Sequence, residues 1–308
     1  APQHFEQYWQ AGVLANKTDF EMNIHGPYYS ELLGNKVERG RSLAKIEATL
    51  QEEFSTPKFI NEVLPSSLRE DLLESWLTSL RNSILSPNFD DLLIVVDSAN
   101  GAASAFASQL FKKLGANVIS IHDKPNGKNI NLNSGSTNMD ELTRTVNDTR
   151  ADLGIAFDGD ADRALAVDGD GKVIDGDHLT AIFANDMNDR GVLRDETTVV
   201  SVMTNLGFHL AMKEQKINTH ITPVGDRHIL QALQKNNWSL GGEQSGHIIF
   251  SDIATTGDGI LTALQLLDVL KRSGKASKEL SQSSMQKSPQ SLRAVTLPMI
   301  GTEIVSEM

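Results

Sequence analysis

Residues 151–174 read ADLGIAFDGDADRALAVDGDGKVI. The short apolar run Leu153–Phe157 predicts a buried strand. Asp158, Asp160 and Asp162 follow at every second position, and Gly159 allows a tight bend, so the three carboxylates converge. Hard oxygen ligands at that spacing suit Mg²⁺, which takes carboxylates together with water or a phosphate oxygen. A calcium loop of the helix-loop-helix type needs glycine at position 6 and glutamate at position 12. Arg163 and Gly169 stand there, so that reading fails. The plain alternative is a solvated acidic turn between two strands. Beyond the turn, 164–167 and 172–174 predict a hairpin across Gly169-Asp170-Gly171.

Outward from this stretch, strands and helices alternate. LLIVV at 92–96 predicts a strand, followed by Asp97 and an Asn100-Gly101 turn. A helix then runs to Leu114, a strand covers 118–121, and the loop PNGKNINLNSGST leads to a helix over 139–150 capped by Thr137 or Asn138. A second unit begins near 192, with strands at 197–203, 220–224 and 248–250 and helices at 206–215 and 227–235. An amphipathic helix over 257–270 ends near Gly274, and the tail from 275 is polar and then weakly strand-like. Residues 1–88 differ, being polar and mostly helical in pattern, with apolar faces over 42–54 and 68–85. The expected fold class is α/β: an open sheet with covered faces, whose ligands gather at the carboxyl ends of its strands.

The 308 residues give room for two domains. At 39% apolar and 22% charged, the composition is that of an ordinary globular chain. There are no cysteines, which excludes disulfides, thiolate metal sites and cysteine nucleophiles, and fits a cytoplasmic location. The N-terminal decapeptide lacks a secretory pattern, and no apolar run reaches membrane-spanning length. A net charge of −12 without a Lys/Arg cluster argues against nucleic acid. An acidic protein that handles a phosphorylated substrate needs a metal and a few placed cations.

Two further loops carry chemistry. In GGEQSGH (241–247), Glu243 and Ser245 can accept and share hydrogen bonds with vicinal sugar hydroxyls, and His247 can exchange protons near neutral pH. The alternative is an ordinary flexible turn. In Val224-Gly225-Asp226-Arg227, Arg227 at a helix start would face a phosphate. The alternative is an aspartate cap with a surface arginine. Thr255-Thr256-Gly257-Asp258-Gly259 reads as a cap and turn, and His122, His178, His209, His220 and His228 read as structural.

Taken together and in order, VVDSANGAAS (95–104), PNGKNIN (125–131), SGST (134–137), the acidic loop, VIDGD (173–177), MTNLG (203–207), VGDRHIL (224–230), GGEQSGHII (241–249) and TTGDGI (255–260) resemble the α-D-phosphohexomutase superfamily, most of all its phosphoglucosamine mutase branch. The resemblance covers about 90–275. It implies two successive phosphohexomutase-type α/β domains, at 89–190 (metal-binding) and 191–290 (sugar-binding). Before them would lie an altered or truncated first-domain remnant with a mostly helical pattern (1–88), and after them a tail toward a fourth domain (291–308). It implies an isomerase of amino-sugar and peptidoglycan-precursor metabolism. That enzyme interconverts glucosamine 6-phosphate and glucosamine 1-phosphate through a bisphosphate intermediate. Its cofactors would be Mg²⁺ and, as activator, a hexose 1,6-bisphosphate. By resemblance Asp158, Asp160 and Asp162 hold the metal and Arg163 adds a cation. Glu243, Ser245, Asp226 and Arg227 meet the substrate, and His247 assists proton transfer. The expected partners are a phosphosugar and either a second copy in a homodimer or a complementing chain. Departures matter too. The family's Ser-His-Asn-Pro and Arg-x-Ser-Gly-Thr strings do not occur intact, and Ile24 would take the serine position. Two other expectations therefore stand beside the first: a non-catalytic sugar-phosphate binder, and phosphomannomutase/phosphoglucomutase specificity.

Overall fold

In a computed structural model of the chain, residues 70–291 are described. The helix expected over 42–54, the residues around Ile24 and the segment 292–308 lie outside them. Helix α1 (Glu70–Asn82) turns Trp76, Leu77 and Leu80 to the core, and the Trp76 ring meets Phe106 edge-on at 5.6 Å.

The first sheet holds β1 (Leu93–Asp97), β2 (Asn117–Ile121), β3 (Leu153–Phe157), β4 (Ala164–Asp168) and β5 (Val173–Ile174) in the order β2-β1-β3-β4-β5. The β2-β1-β3 part is parallel, and β4 and β5 are antiparallel additions. Helix α2 (Ala107–Lys113) links β1 to β2, and α3 (Asp140–Thr149) links β2 to β3. Residues alternate across a strand. Accordingly Ile94, Val96, Ile155 and Phe157 pack with Leu110 and Phe111 of α2, while Val95 and Ala156 pack with Leu142 and Val146 of α3 on the other face. The chain thus leaves β1 toward β2 and returns to β3 on β1's other side. This is a switch point, where α/β sheets place their ligands. Met139, not Thr137 or Asn138, stands at the N-cap of α3 and makes no side-chain capping bond; Asn138 Oδ1, one residue earlier, accepts the Asp140 N–H at 3.2 Å.

The second sheet repeats the plan. It joins β6 (Thr197–Ser201), β7 (Asn218–Thr222), β8 (Leu240–Gly242) and β9 (Ile248–Phe250) in the order β7-β6-β8-β9. Helices α5 (Leu206–Glu214) and α6 (Asp226–Asn236) make the crossovers. Between the sheets lie α4 (Gly176–Asp189) and α7 (Gly259–Ser273). One apolar cluster runs from Phe157 through Leu179, Ile182, Leu264 and Leu267 to Val200 and Ile248.

Four details differ from the sequence reading. Helix α4 was not anticipated, because it touches both sheets and its apolar residues form no single stripe. Residues 240–242 form a strand, although Gly241 and Gly242 carry no side chain to reveal one. Helix α7 is buried from Gly259 to Leu270 rather than amphipathic; its polar residues are satisfied internally, as where Asp268 accepts the Leu85 and Ser86 N–H groups. The polar tail begins as helix α8 (Ser277–Ser284), which buries Ser277, Leu280, Ser281 and Ser284.

Candidate active site

Strand β3 delivers the acidic loop at its carboxyl end. Oxygens of Asp158, Asp160 and Asp162 come within 4.8 Å of one another. Burial, then the neighbouring Asp162 and Asp160 carboxylates, push the Asp158 pKa up to about 7. Burial also opposes ionisation of Asp162, but the hydrogen bond with His247, the Asp158 carboxyl and the Arg163 guanidinium outweigh it, so its pKa lies below the ordinary value. Arg163 Nε stands 3.5 Å from Asp162 and 3.7 Å from Asp158. Asp162 Oδ1 is buried and accepts no hydrogen bond, the Arg163 Nε at 3.5 Å being its cationic neighbour. Crowded like charges, a carboxylate pushed toward its neutral form and a buried oxygen that accepts no hydrogen bond fit a divalent cation held by hard oxygen donors. The residues present therefore suit Mg²⁺.

The sugar-loop candidates lie next to this triad. Residues 243–246 form a tight hairpin between β8 and β9, closed by Glu243 N–H to His247 O (3.0 Å) and Gly246 N–H to Glu243 O (2.9 Å). The two loops are stitched together. Ala164 N–H donates to Gly246 O at 3.1 Å, and His247 Nδ1 lies 3.0 Å from Asp162 Oδ2. Gly246 has φ +92°, and a Cβ there would sit 2.3 Å from Ala164 O. Ser245 is exposed, and Glu243 is partly so. Glu243 Oε1 accepts the Gly225 N–H at 2.9 Å, which ties the Asp226–Arg227 loop to the same hairpin. Asp226 and Arg227 are exposed at the first turn of α6, where backbone N–H groups favour an anion. All the site residues anticipated from the sequence thus gather along adjoining loops.

Supporting residues escaped the sequence reading. The first turn of α4 props the sugar hairpin: Gly176 N–H donates to Gln244 O (3.0 Å), and Gln244 Nε2 reaches Asp177 at 3.3 Å. The VIDGD string was the available signal. Asp258 does cap α7, accepting the Leu261 N–H at 2.9 Å, but the flanking glycines also serve the site. Gly259 N–H donates to Ala161 O (2.9 Å), and Gly257 lies against the His247 ring. Behind the acidic loop, fully buried Asp97 accepts the Ala99 and Gly135 N–H groups at 2.9 Å and meets His122 at 3.0 Å. Next to it, Ala102 N–H holds Gly159 O at 2.8 Å.

The alpha/beta/alpha domain II signature of phosphoglucomutase/phosphomannomutase matches residues 74–171, and its alpha/beta/alpha domain III signature matches 175–288. The chain belongs to the phosphoglucomutase/phosphomannomutase family. It is 53% identical over 290 residues to a phosphoglucosamine mutase of Pelotomaculum thermopropionicum, covering 92% of this chain and 64% of that protein. It is 48% identical over 219 residues to one from Brevibacillus brevis, covering 71% and 48%. The chain thus spans about half to two thirds of the length of these relatives. Among solved structures, a phosphoglucomutase/phosphomannomutase family protein of Burkholderia thailandensis shares 26% identity at a TM-score of 0.61, covering 68% of this chain and 46% of that one. Aspergillus fumigatus N-acetylphosphoglucosamine mutase shares the fold. Its complex with GlcNAc-6P and magnesium matches at 19% identity and TM-score 0.55, covering 70% and 49%. A serine-to-alanine variant of that enzyme, in complex with glucose 1,6-bisphosphate, matches at 20% identity and TM-score 0.53, covering 70% and 48%. No helix of the described residues is long and apolar enough to cross a membrane.

Proposed function

We propose that these residues are the metal-holding and sugar-reading part of a bacterial phosphoglucosamine mutase, an isomerase that interconverts glucosamine 6-phosphate and glucosamine 1-phosphate in the cytoplasm. The observation that carries this reading is the stitching of the acidic loop to the GGEQSGH hairpin through Ala164–Gly246 and Asp162–His247, in a chain about half identical to phosphoglucosamine mutases. Asp158, Asp160 and Asp162 would hold Mg²⁺. When bound, the cation neutralises phosphoryl oxygens as charge shifts during transfer. Arg163 keeps a second positive charge against the same carboxylates. Glu243 and Ser245 bond to sugar hydroxyls in either orientation of a bisphosphate intermediate, and Arg227 faces a phosphate from the substrate-facing loop it shares with Asp226. A hexose 1,6-bisphosphate is the activator, in keeping with the ligand of the Aspergillus variant complex.

A second reading has the chain binding sugar phosphate without turning it over. The sequence favours it in one respect: no Ser-His-Asn-Pro string supplies a phosphoryl donor. The test pairs binding with turnover. With Mg²⁺ present, glucosamine 6-phosphate should shift the NMR signals of residues 241–247, and Glu243→Ala should weaken binding about tenfold or more. Shifts that avoid this hairpin would place the sugar elsewhere. A coupled assay with glucose 1,6-bisphosphate should show little turnover by this chain alone. Robust turnover with a phosphorylated serine, seen by mass spectrometry, would remove the second reading.

A further inference from the structure

Asp177, in the first turn of α4, is only 2% exposed and forms no ion pair among the described residues; the Lys287 ammonium bonds to Asp175 instead. Burial pushes its pKa up to about 6, and the Asn205 N–H only partly opposes the shift. A buried carboxyl without a cation is costly unless its hydrogen bonds are made, and on stability grounds alone an apolar side chain of similar volume would serve as well. Asp177 Oδ2 accepts from two different segments. The Asn205 N–H, in the loop that leaves β6, donates at 2.9 Å, and Gln244 Nε2, in the hairpin that leaves β8, approaches at 3.3 Å. Strands β6 and β8 are parallel neighbours, so both segments leave the same end of the sheet. Asn205 is itself fixed, because its Oδ1 accepts the Gly207 N–H at 2.9 Å and the Ser288 N–H at 2.8 Å. Gly176 brings the helix close against the hairpin backbone: a Cβ there would sit 2.0 Å from Glu243 O and 2.6 Å from Gly246 N.

Gln244 stands between Glu243 and Ser245, the proposed sugar contacts, and its own side chain is committed to Asp177. Residues that present a binding group work best when a neighbouring hydrogen bond fixes their backbone. We propose that the Asp177–Gln244 pair is a positioning device: it holds the middle of the hairpin to the loop that leaves β6, and so presents Glu243 and Ser245 to the sugar hydroxyls. Gln244 is the positioning residue and Asp177 acts through it; neither touches the sugar. This rests on the sugar-binding reading of the hairpin.

Exchanging the two partners tests the pair. Q244E puts a second carboxylate against Asp177, and Q244M keeps the length of the side chain but offers no donor. In the double variant D177N/Q244E the new amide nitrogen donates to the new carboxylate, while the amide oxygen still accepts the Asn205 N–H and the net charge stays that of the parent. Glucosamine 6-phosphate is titrated by NMR into the full chain and each variant in the presence of Mg²⁺. Circular dichroism verifies folding, and calorimetry gives the Mg²⁺ affinity of each. Q244E and Q244M should bind the sugar phosphate about tenfold more weakly than the parent, and D177N/Q244E should return to within about threefold of it. Mg²⁺ affinity should stay constant throughout. If Q244E fails to fold, the neutral Q244M still decides. Unchanged sugar affinity in Q244M, or a folded double variant no better than Q244E, overturns the positioning role. So does a loss of Mg²⁺ affinity in step with the loss of sugar affinity. A parent chain that binds no sugar phosphate, or binds it with shifts that avoid residues 241–247, overturns the sugar-hairpin reading itself, and the inference with it.

Discussion

The chemistry of single residues is set by how closely the backbone approaches them. Gly246 shows this best, with a left-handed φ of +92° and no room for a Cβ against Ala164 O. Gly127 also has a left-handed φ, +80°, but faces open space. Gly246→Ala should therefore cost roughly 2–3 kcal/mol in urea unfolding, and Gly127→Ala about 1 kcal/mol. Equal losses would show that the contact with Ala164 contributes nothing. At this scale the sequence was legible where side chains announce their chemistry. Asp158, Asp160, Asp162, Glu243 and Ser245 were picked by residue type and spacing, and the fold gathers them. The role of Gly257 was not legible, because close packing on an imidazole leaves no mark in a string that reads equally well as a cap and turn.

Elements were legible in proportion to how one-sided their burial is. The strand β3 stood out because all five of its residues are apolar or glycine and all are buried. Helix α4 did not, since Asp177 and Thr180 are buried beside Leu179 and Ile182. Its start is nonetheless specified. Asp175 caps it, accepting the His178 N–H at 3.1 Å, and the same carboxylate binds the His178 ring at 2.7 Å and Lys287. Burial raises the cost of the Asp175 charge, but His178 and Lys287 outweigh it and lower its pKa from 3.8 to about 2. A depressed carboxyl contributes stability that is present above its unfolded pKa and lost as pH falls through its folded one. Between about pH 4 and pH 2 the chain should therefore lose this contribution. Asp175→Asn keeps a capping oxygen but not the charge. It should lower stability at pH 7 by about 1–2 kcal/mol and flatten the acid limb of the stability profile. An unchanged acid limb in thermal melts of the variant would contradict this role.

The molecule as a whole is one strand plan used twice and joined through a common interior. The β2-β1-β3-β4 and β7-β6-β8-β9 orders correspond strand for strand, each with two parallel crossovers and an antiparallel return. The sequence shows the likeness of the two α/β units but not their union, because α4 and α7 belong to both cores and their apolar residues form no clean stripe. That union places the carboxyl end of β3 beside the end of β8, so the acidic triad and the sugar hairpin adjoin. The central claim is that this junction holds Mg²⁺ through Asp158, Asp160 and Asp162. It is tested most directly by calorimetric titration of Mg²⁺ into the chain and into its Asp160→Asn variant. Asp160 is the exposed member of the triad, so its loss should leave the fold intact. The account predicts a single saturable site in the parent chain and an affinity at least about tenfold weaker in the variant. Equal affinity in both, or no uptake by either, would contradict it.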